Sequence, residues 1–447
     1  MNEVRSFLKD FFLTPRFFWA LGMVVLFFIA GAFIAPFFSI GQVSALVLVL
    51  VTATDILVNY HLKEGLSAER RLPDRFSNGD LNPVSIWVES RYTFPVRVGV
   101  VDEIPPEFQI RNFYHSFSLQ PREPKVIQYQ LRPVRRGEYH FGYINLMLRS
   151  KLALVARRYR FQADQMVPTY PSFIQMRKYE LLAISNRLSD IGIKKIRRLG
   201  HTMEFDQIRS YVQGDDIRTI NWKATARARE LMVNQYQDER SQQVISIIDM
   251  GKSMKAPFNE MTLLDYAINT SLVMCNTAMV KEDKAGLVTL THKIESYVAP
   301  TKRRVQMRRI QEVLYNQETS FEEPNYELLF TFLRNNVNQR SLLLLYTNFE
   351  THSNMRRNAR YLRQLAKRHL VVVIFFRNEE LTTLAEQPAT NTEEVYVKTI
   401  AEKFLYEKQQ IVRELASYGI HSILTTPENL TVNTLNKYLE LKARGLI

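Results

Sequence analysis

Hydrophobic positions fall into three regimes along the chain. Residues 17–35 form an apolar run without a charge, and residues 40–58 form a second, interrupted only by Asp55. Each matches the roughly 20 residues that a helix needs to cross a hydrocarbon core of about 30 Å. Only Pro36, Phe37, Phe38 and Ser39 lie between them, so the pair is predicted to turn straight back as a transmembrane helical hairpin. Arg5, Lys9 and Arg16 precede it, Lys63, Arg70 and Arg71 follow it, and the connector is uncharged. The positive-inside rule therefore puts both ends in the cytoplasm. Ala30-Gly31-Ala32 has the look of a signal-peptidase site, but the apolar run continues through Phe38. Cleavage there would still leave a stop-transfer helix with the same topology. Asp55 lies near the cytoplasmic end of its span, where snorkelling accounts for it; a role in a membrane pathway is the alternative.

From about residue 66 to residue 161 the pattern becomes short and alternating, at 84–88, 96–100, 126–131 and 139–146, punctuated by Pro73, Asn78-Gly79-Asp80, Pro105-Pro106, Pro121, Pro133 and Gly137. Short strands with regular turn signals predict a β-sandwich over 66–165. Trp87 is expected in its core, and residues 135–139 as a charged turn leading into a strand. No catalytic constellation appears there.

The third regime alternates apolar strands with helices. Strands are predicted at 244–248, 286–290, 341–347, 370–376 and 420–424, and helices at 262–280, 303–315, 326–336, 355–368 and 399–417. That order predicts an α/β domain over 241–447 with a mostly parallel sheet covered on both faces, whose ligands bind at the carboxyl ends of the strands. Residues 1–16 are then a cytoplasmic lead, 17–60 the membrane hairpin, and 166–240 a motif-bearing linker packing on the last domain.

Composition adds little to this picture. A chain of 447 residues, 46% hydrophobic and 23% charged, is too long for one core and too apolar for disorder. Its one cysteine, Cys275, excludes an internal disulfide and sits in an apolar stretch, as a buried inert thiol would. The formal charge of +14 comes without zinc-finger spacing or an RNA-binding aromatic signature, so nucleic acid is not expected as a partner. Attraction to an anionic leaflet and a merely soluble basic surface are both open readings. Scattered histidines, no Gly-x-Ser-x-Gly elbow and no Walker loop argue against a zinc enzyme, a serine hydrolase and an ATPase.

Two stretches carry more. One runs Gly200-His201-Thr202-Met203-Glu204-Phe205, then Ile208-Arg209-Ser210-Tyr211-Val212-Gln213-Gly214-Asp215-Asp216-Ile217-Arg218-Thr219-Ile220-Asn221-Trp222-Lys223-Ala224-Thr225-Ala226-Arg227. The other is Asp249-Met250-Gly251-Lys252-Ser253-Met254, at the end of the first strand of the α/β domain. Together they resemble the bacterial DUF58 family, membrane proteins with a domain similar to the von Willebrand factor A fold. The resemblance implies a protein of the bacterial inner membrane that is no enzyme. It implies partners in a MoxR-type AAA+ ATPase and other von Willebrand A-like proteins, and a part in assembling or maturing other complexes.

In A-domains an Asp-x-Ser-x-Ser motif, with a later Thr and Asp, holds a divalent cation. Asp249 and Ser253 match; Gly251 removes one hydroxyl, Asn348 stands where an acid is expected, and Thr319 is the candidate loop threonine. A degenerate site of this kind would hold Mg²⁺ weakly, making a metal-dependent ligand binder the alternative function. Otherwise Asp249 caps a helix or bonds a loop. In the long motif, residues 217–228 are expected as a helix, with Arg218 and Trp222 on one face, and 231–236 as a strand. Glu204, Arg209, Tyr211, Gly214, Asp215, Asp216, Arg218, Asn221, Trp222 and Arg227 then form either an Asp–Arg lattice with a buried Trp or a partner-docking surface. The basic stretch Arg356, Arg357, Arg360, Arg363, Lys367 and Arg368 reads as a solvated helix face, or as a membrane contact.

Overall fold

The structure, a computed structural model, describes residues 9–184, 204–237, 241–303, 305–389 and 391–447. It divides into two compact units, Met1–Tyr170 and Pro171–Ile447.

The first unit begins with the strand β1 (Phe11–Leu13) and two apolar helices, α1 (Pro15–Gly31) and α2 (Ala35–Tyr60). Pro36, expected in the connector, instead occupies the first turn of α2, where its missing N–H costs nothing. The turn is thus only residues 32–34. The helices lie against each other, with the Phe28 and Phe38 rings edge-on at 5.6 Å. Gly31 permits this approach, since a Cβ there would stand 2.6 Å from the Phe38 nitrogen. Helix α2 is long and apolar enough to cross a membrane, and α1 is a shorter apolar helix.

Ten further strands follow: β2 (Leu66–Arg71), β3 (Phe76–Ser77), β4 (Asn82–Ser90), β5 (Val96–Asp102), β6 (His115–Leu119), β7 (Pro124–Leu131), β8 (Gly137–Phe141), β9 (Ile144–Arg149), β10 (Val155–Phe161) and β11 (Gln165–Tyr170). They form sheets of order β1-β10-β9-β5-β6, β2-β4-β7 and β3-β11-β8, the last mixed because β3 and β11 run parallel. Alternation sends Ile86 and Val88 of β4, Val98 and Val100 of β5 and Leu146 and Leu148 of β9 into one core. Strand parity therefore puts Trp87 on the other face, half-buried beneath the Arg71 guanidinium at 4.6 Å, and not in the core as expected. The unit ends at Tyr170, so β11 belongs to it and not to a linker.

This unit also overturns two readings of charge. Asp55 does not snorkel: it is fully buried. Its carboxylate accepts hydrogen bonds from the Leu154 and Val155 amides at 2.9 and 2.8 Å, from Asn59 Nδ2 at 3.3 Å and from the Ser150 hydroxyl. Arg70 is no surface cation of the positive-inside count either. It lies buried on Asp102, with Nη1 donating to the Ala163 carbonyl at 2.9 Å and Nη2 to that of Gly142 at 3.1 Å.

The second unit opens with α3 (Phe173–Ile184), which packs on the α/β body: Ser172 N donates to Asn269 Oδ1 at 2.9 Å, and Asn276 Nδ2 to Glu180 Oε2 at 3.1 Å. A hairpin of β12 (Glu204–Ser210) and β13 (Met232–Gln237) follows, carrying the short helix α4 (Trp222–Ala228) between its strands. The body consists of β14 (Gln243–Asp249), the two-residue ladder β15 (Pro257–Phe258) and β16 (Met261–Thr262), α5 (Leu263–Val280), β17 (Lys284–Leu290), β18 (Ile294–Thr301), α6 (Val305–Tyr315), α7 (Tyr326–Asn336), β19 (Leu342–Tyr346), α8 (His352–Ala366), β20 (Leu370–Phe376), α9 (Glu379–Glu386), α10 (Thr392–Ser417), β21 (His421–Thr425) and α11 (Leu430–Ala443). Thr262 and Asp265 form a reciprocal capping box at the start of α5, which explains its sharp beginning. The sheet order is β18-β17-β14-β19-β20-β21, parallel except for the edge strand β18. Cores on both faces make its central strands β19 and β20 almost continuously apolar. Cys275 is fully buried and its thiol is pushed up to about 12 by burial, so no thiolate is available at neutral pH.

Candidate functional site

Chain order reverses in the sheet at β14, whose successor β17 lies on one side and whose other neighbour, β19, lies on the other. In open α/β sheets, ligands sit at the carboxyl ends of strands at such a reversal. Asp249 ends β14 there, 1% exposed. It accepts hydrogen bonds from Thr347 Oγ1 at 2.6 Å, Gly251 N at 2.7 Å and Tyr326 OH at 3.3 Å; Tyr326 and Thr347 join each other at 2.9 Å. The Gly251 bond is the loop contact expected of Asp249 if it holds no metal. Glycine is required at 251 because a Cβ would lie 2.8 Å from Pro324 Cδ and 3.1 Å from the Glu322 carbonyl. The loop that crowds it carries Thr319 and is seated by Ser320 N donating to the Met250 carbonyl at 2.7 Å.

At the end of β19, Asn348 Oδ1 accepts from Lys408 Nζ at 2.8 Å, and the same ammonium donates to the Phe349 carbonyl at 2.6 Å. Asn348 Nδ2 reaches the Ser253 carbonyl at 3.5 Å. The adhesion-type constellation is therefore altered at three points, Asp249, Gly251 and Asn348. Its carboxylate is engaged by two hydroxyls and an amide, its first serine is sterically replaced by glycine, and its second acid is an amide facing an ammonium. These residues do not fit a hard divalent cation, which needs several free anionic oxygens. Among the described residues no group of three or more His, Cys, Asp or Glu side chains stands together as a metal site would require.

Burial pushes the Asp249 carboxyl up to about 6, against the pull of Thr347, Gly251 and Tyr326. The folded chain thus holds this proton more tightly than the unfolded one. Its contribution to stability is full below about pH 4 and is lost as pH rises through about 6. Asp249→Asn is expected to flatten that limb in thermal melts of the detergent-solubilised protein between pH 4 and pH 7; an unchanged slope would refute it.

Lys408 projects from α10 into a cavity of about 320 Å³ that Phe258, Leu263, Phe376, Leu381 and Phe404 also line. Burial brings its amine down to about 8, with Glu350 opposing. Sequence reading missed Lys408, Tyr326 and Thr347. A lysine among the many charges of a 26-residue helix carries no local signal, and Tyr326 follows the cap Asn325 like any first-turn residue.

The motif between β12 and β13 folds differently from expectation. Asp216 caps a 3₁₀ turn, Ile217–Thr219, accepting from Arg218 N at 2.9 Å. Asn221 then starts α4 by accepting from Ala224 N at 3.0 Å. Arg218 and Trp222 therefore do not share a helix, since two caps break the run predicted at 217–228. Among the described residues the lattice reduces to one bidentate pair, Arg209 with Asp215 at 2.8 and 2.7 Å, which closes the turn at Gly214 (φ +114°). Hydrogen bonding from Arg209 holds the Asp215 carboxyl below the usual carboxylate range. Tyr211 is half-buried and seated by its backbone N–H on the Leu231 carbonyl at 2.7 Å; Arg227 is exposed. Trp222 is not buried. It is 67% exposed, and Ile217 and Val212 of the same motif are 70% and 61% exposed. The Glu204 side chain lies outside the described residues.

Residues 207–410, from this hairpin through Asp249 and Asn348 to Lys408, match the family model described as "Protein of unknown function DUF58". Over that segment the chain is similar to the DUF58 family. The "Uncharacterized protein YeaD" of Bacillus subtilis (strain 168) is 23% identical over 44% of this chain and 51% of that protein, so the chain spans about half the length of this curated relative. Among solved structures, the conserved hypothetical protein BatB from Bacteroides thetaiotaomicron is 13% identical, with a TM-score of 0.33 over 46% of this chain and 100% of that one. The CARDB domain of the PF1109 protein from Pyrococcus furiosus is 19% identical, with a TM-score of 0.17 over 24% of this chain and 93% of that one. Likenesses this distant carry no argument, and the DUF58 reading rests on the family match.

Proposed function

We propose that this chain is a non-catalytic, membrane-anchored interaction protein. In this reading α1 and α2 cross the bacterial inner membrane as a hairpin with both chain ends in the cytoplasm. A β-sandwich and a von Willebrand A-like domain then recruit a MoxR-type AAA+ ATPase, and with it other A-like proteins, to complexes being assembled. The observation that carries it is the exposure of Trp222, Ile217 and Val212 on the DUF58 motif. Large apolar side chains left in water mark interaction sites, and Trp and Arg are the residues most enriched at binding hot spots. The exposed Arg218, Lys223, Arg227 and Arg229 around them favour an acidic partner surface. The membrane part is supported by the apolar surface of α2, and by Lys9, Arg16 and Lys63 once Arg70 is removed from the count. The non-catalytic part is supported by the engagement of Asp249 and Asn348 within the fold.

The test is co-purification of the detergent-solubilised chain with the purified MoxR-type ATPase of the same organism. Trp222→Ala is expected to weaken capture about 30-fold, and Arg218→Glu by a comparable factor, consistent with a hot spot of about 2 kcal/mol. Neither side chain supports a core, so melting temperatures should hold. Undiminished capture by both variants would remove the docking surface.

A further inference from the structure

We infer that the chain binds the phosphate of an anionic phospholipid in a cavity at the root of α1; this rests on the reading of α1 and α2 as membrane-spanning. The cavity, of about 220 Å³, is lined by Arg16, Arg97, Ser118, Ser150, Lys151 and Ala153. Its three cations come from separate elements. Arg16 is the second residue of α1, Arg97 lies on β5 directly opposite Ser118 of β6, and Lys151 follows the end of β9. Val96 and Val98 turn into the core, so the strand must turn Arg97 outward.

Among the described residues one carboxylate, that of Asp55, stands near these three cations. Among the described residues none of the three cations has a carboxylate partner, and Arg16 Nη1 reaches only as far as the Leu152 carbonyl, at 3.5 Å. Asp55 lies behind Ser150, held by neutral donors, and its single charge offsets one of the three cations and leaves an excess of two. A fourth cation adds to the excess: Arg149 stands opposite Arg97 in the ladder, and its buried Nε has no hydrogen-bond partner. Two guanidiniums, an ammonium and a serine hydroxyl converging on one opening suit a phosphate group.

Position selects a lipid phosphate over a free one. Thr14 N donates to the Leu154 carbonyl at 3.0 Å, and β1 pairs with β10, so the β-rich unit is fixed against the first turn of α1. That turn leads at once into exposed Phe18, Trp19 and Leu21, with Trp19 78% exposed as an interfacial tryptophan would be. The cavity therefore opens where the helix enters hydrocarbon, at the depth of the headgroup phosphates.

The experiment is native mass spectrometry of the full chain in detergent with equimolar phosphatidylglycerol and phosphatidylcholine. The wild-type chain is expected to retain phosphatidylglycerol preferentially. At roughly fivefold per cation, the triple variant Arg16→Gln/Arg97→Gln/Lys151→Gln should lose about 100-fold of that preference. Should the triple variant fail to fold, the exposed Lys151→Gln alone is expected to lose about fivefold. Equal retention of the two lipids by the wild type, or an undiminished preference in the variants, would overturn the site. So would displacement of the lipid by glycerol phosphate at equal concentration, which would mark a soluble-phosphate site. Extraction of the wild-type chain from membranes by carbonate would sink the anchor itself, whereas resistance without lipid preference would sink only the site.

Discussion

Asp55→Leu is expected to destabilise the first unit by about 3–5 kcal/mol, although the substitution makes α2 more apolar. Loss of the carboxylate strands the amides of Leu154 and Val155, the Ser150 hydroxyl and the Asn59 amide in a buried place. Hydrogen bonds to a charged acceptor contribute about 1.5–3 kcal/mol each, and buried donors left unpaired cost about 1–3 kcal/mol each. These terms overlap and outweigh the roughly 2 kcal/mol of burial that a leucine could add. For a unit of this size the melting temperature should fall by about 10 °C. Hydrogen exchange gives a sharper readout: the Leu154 and Val155 amides should exchange at least tenfold faster, while Leu344 in the six-stranded sheet is unchanged. Asp55→Asn keeps one carbonyl acceptor and should cost about half as much. If Asp55→Leu melts with the parent, the carboxylate does not tie helix to strand.

Arg70→Met is expected to be equally severe. Both members of the Arg70–Asp102 pair are essentially without solvent contact, and the Tyr129 hydroxyl also donates to Asp102. Removing one partner of a buried pair leaves the other charge uncompensated, at about 3–5 kcal/mol. Replacing both by apolar residues avoids that penalty, so Arg70→Met/Asp102→Leu should recover most of the loss in a double-mutant cycle. A double variant no more stable than Arg70→Met would show that the guanidinium acts through the Ala163 and Gly142 carbonyls instead.

Both residues show where a linear reading stops. Asp55 looked like an acid at a membrane interface because its donors lie 95 to 100 positions away, apart from Asn59. Arg70 looked like a topogenic charge because Asp102 lies 32 positions away, in another sheet. Trp222 read equally as a buried residue and as a docking anchor, and nothing local announces that it stands 67% exposed. Trp87 failed by one position, which in a strand is the difference between core and surface.

What the chain order determined by itself was the sequence of elements. The apolar runs at its start, the alternating stretch after them and the apolar strands between helices are set by periods of two and 3.6 residues, which neighbours along the chain impose. Helix α7 falls where periodicity put it, and the strand β20 does too. Tertiary structure alone decided the chemistry. It set Tyr326 and Thr347 on Asp249, Lys408 on Asn348, and Arg16, Arg97 and Lys151 around one cavity. Each of these depends on burial and on contacts across long sequence separations, and no local period encodes either.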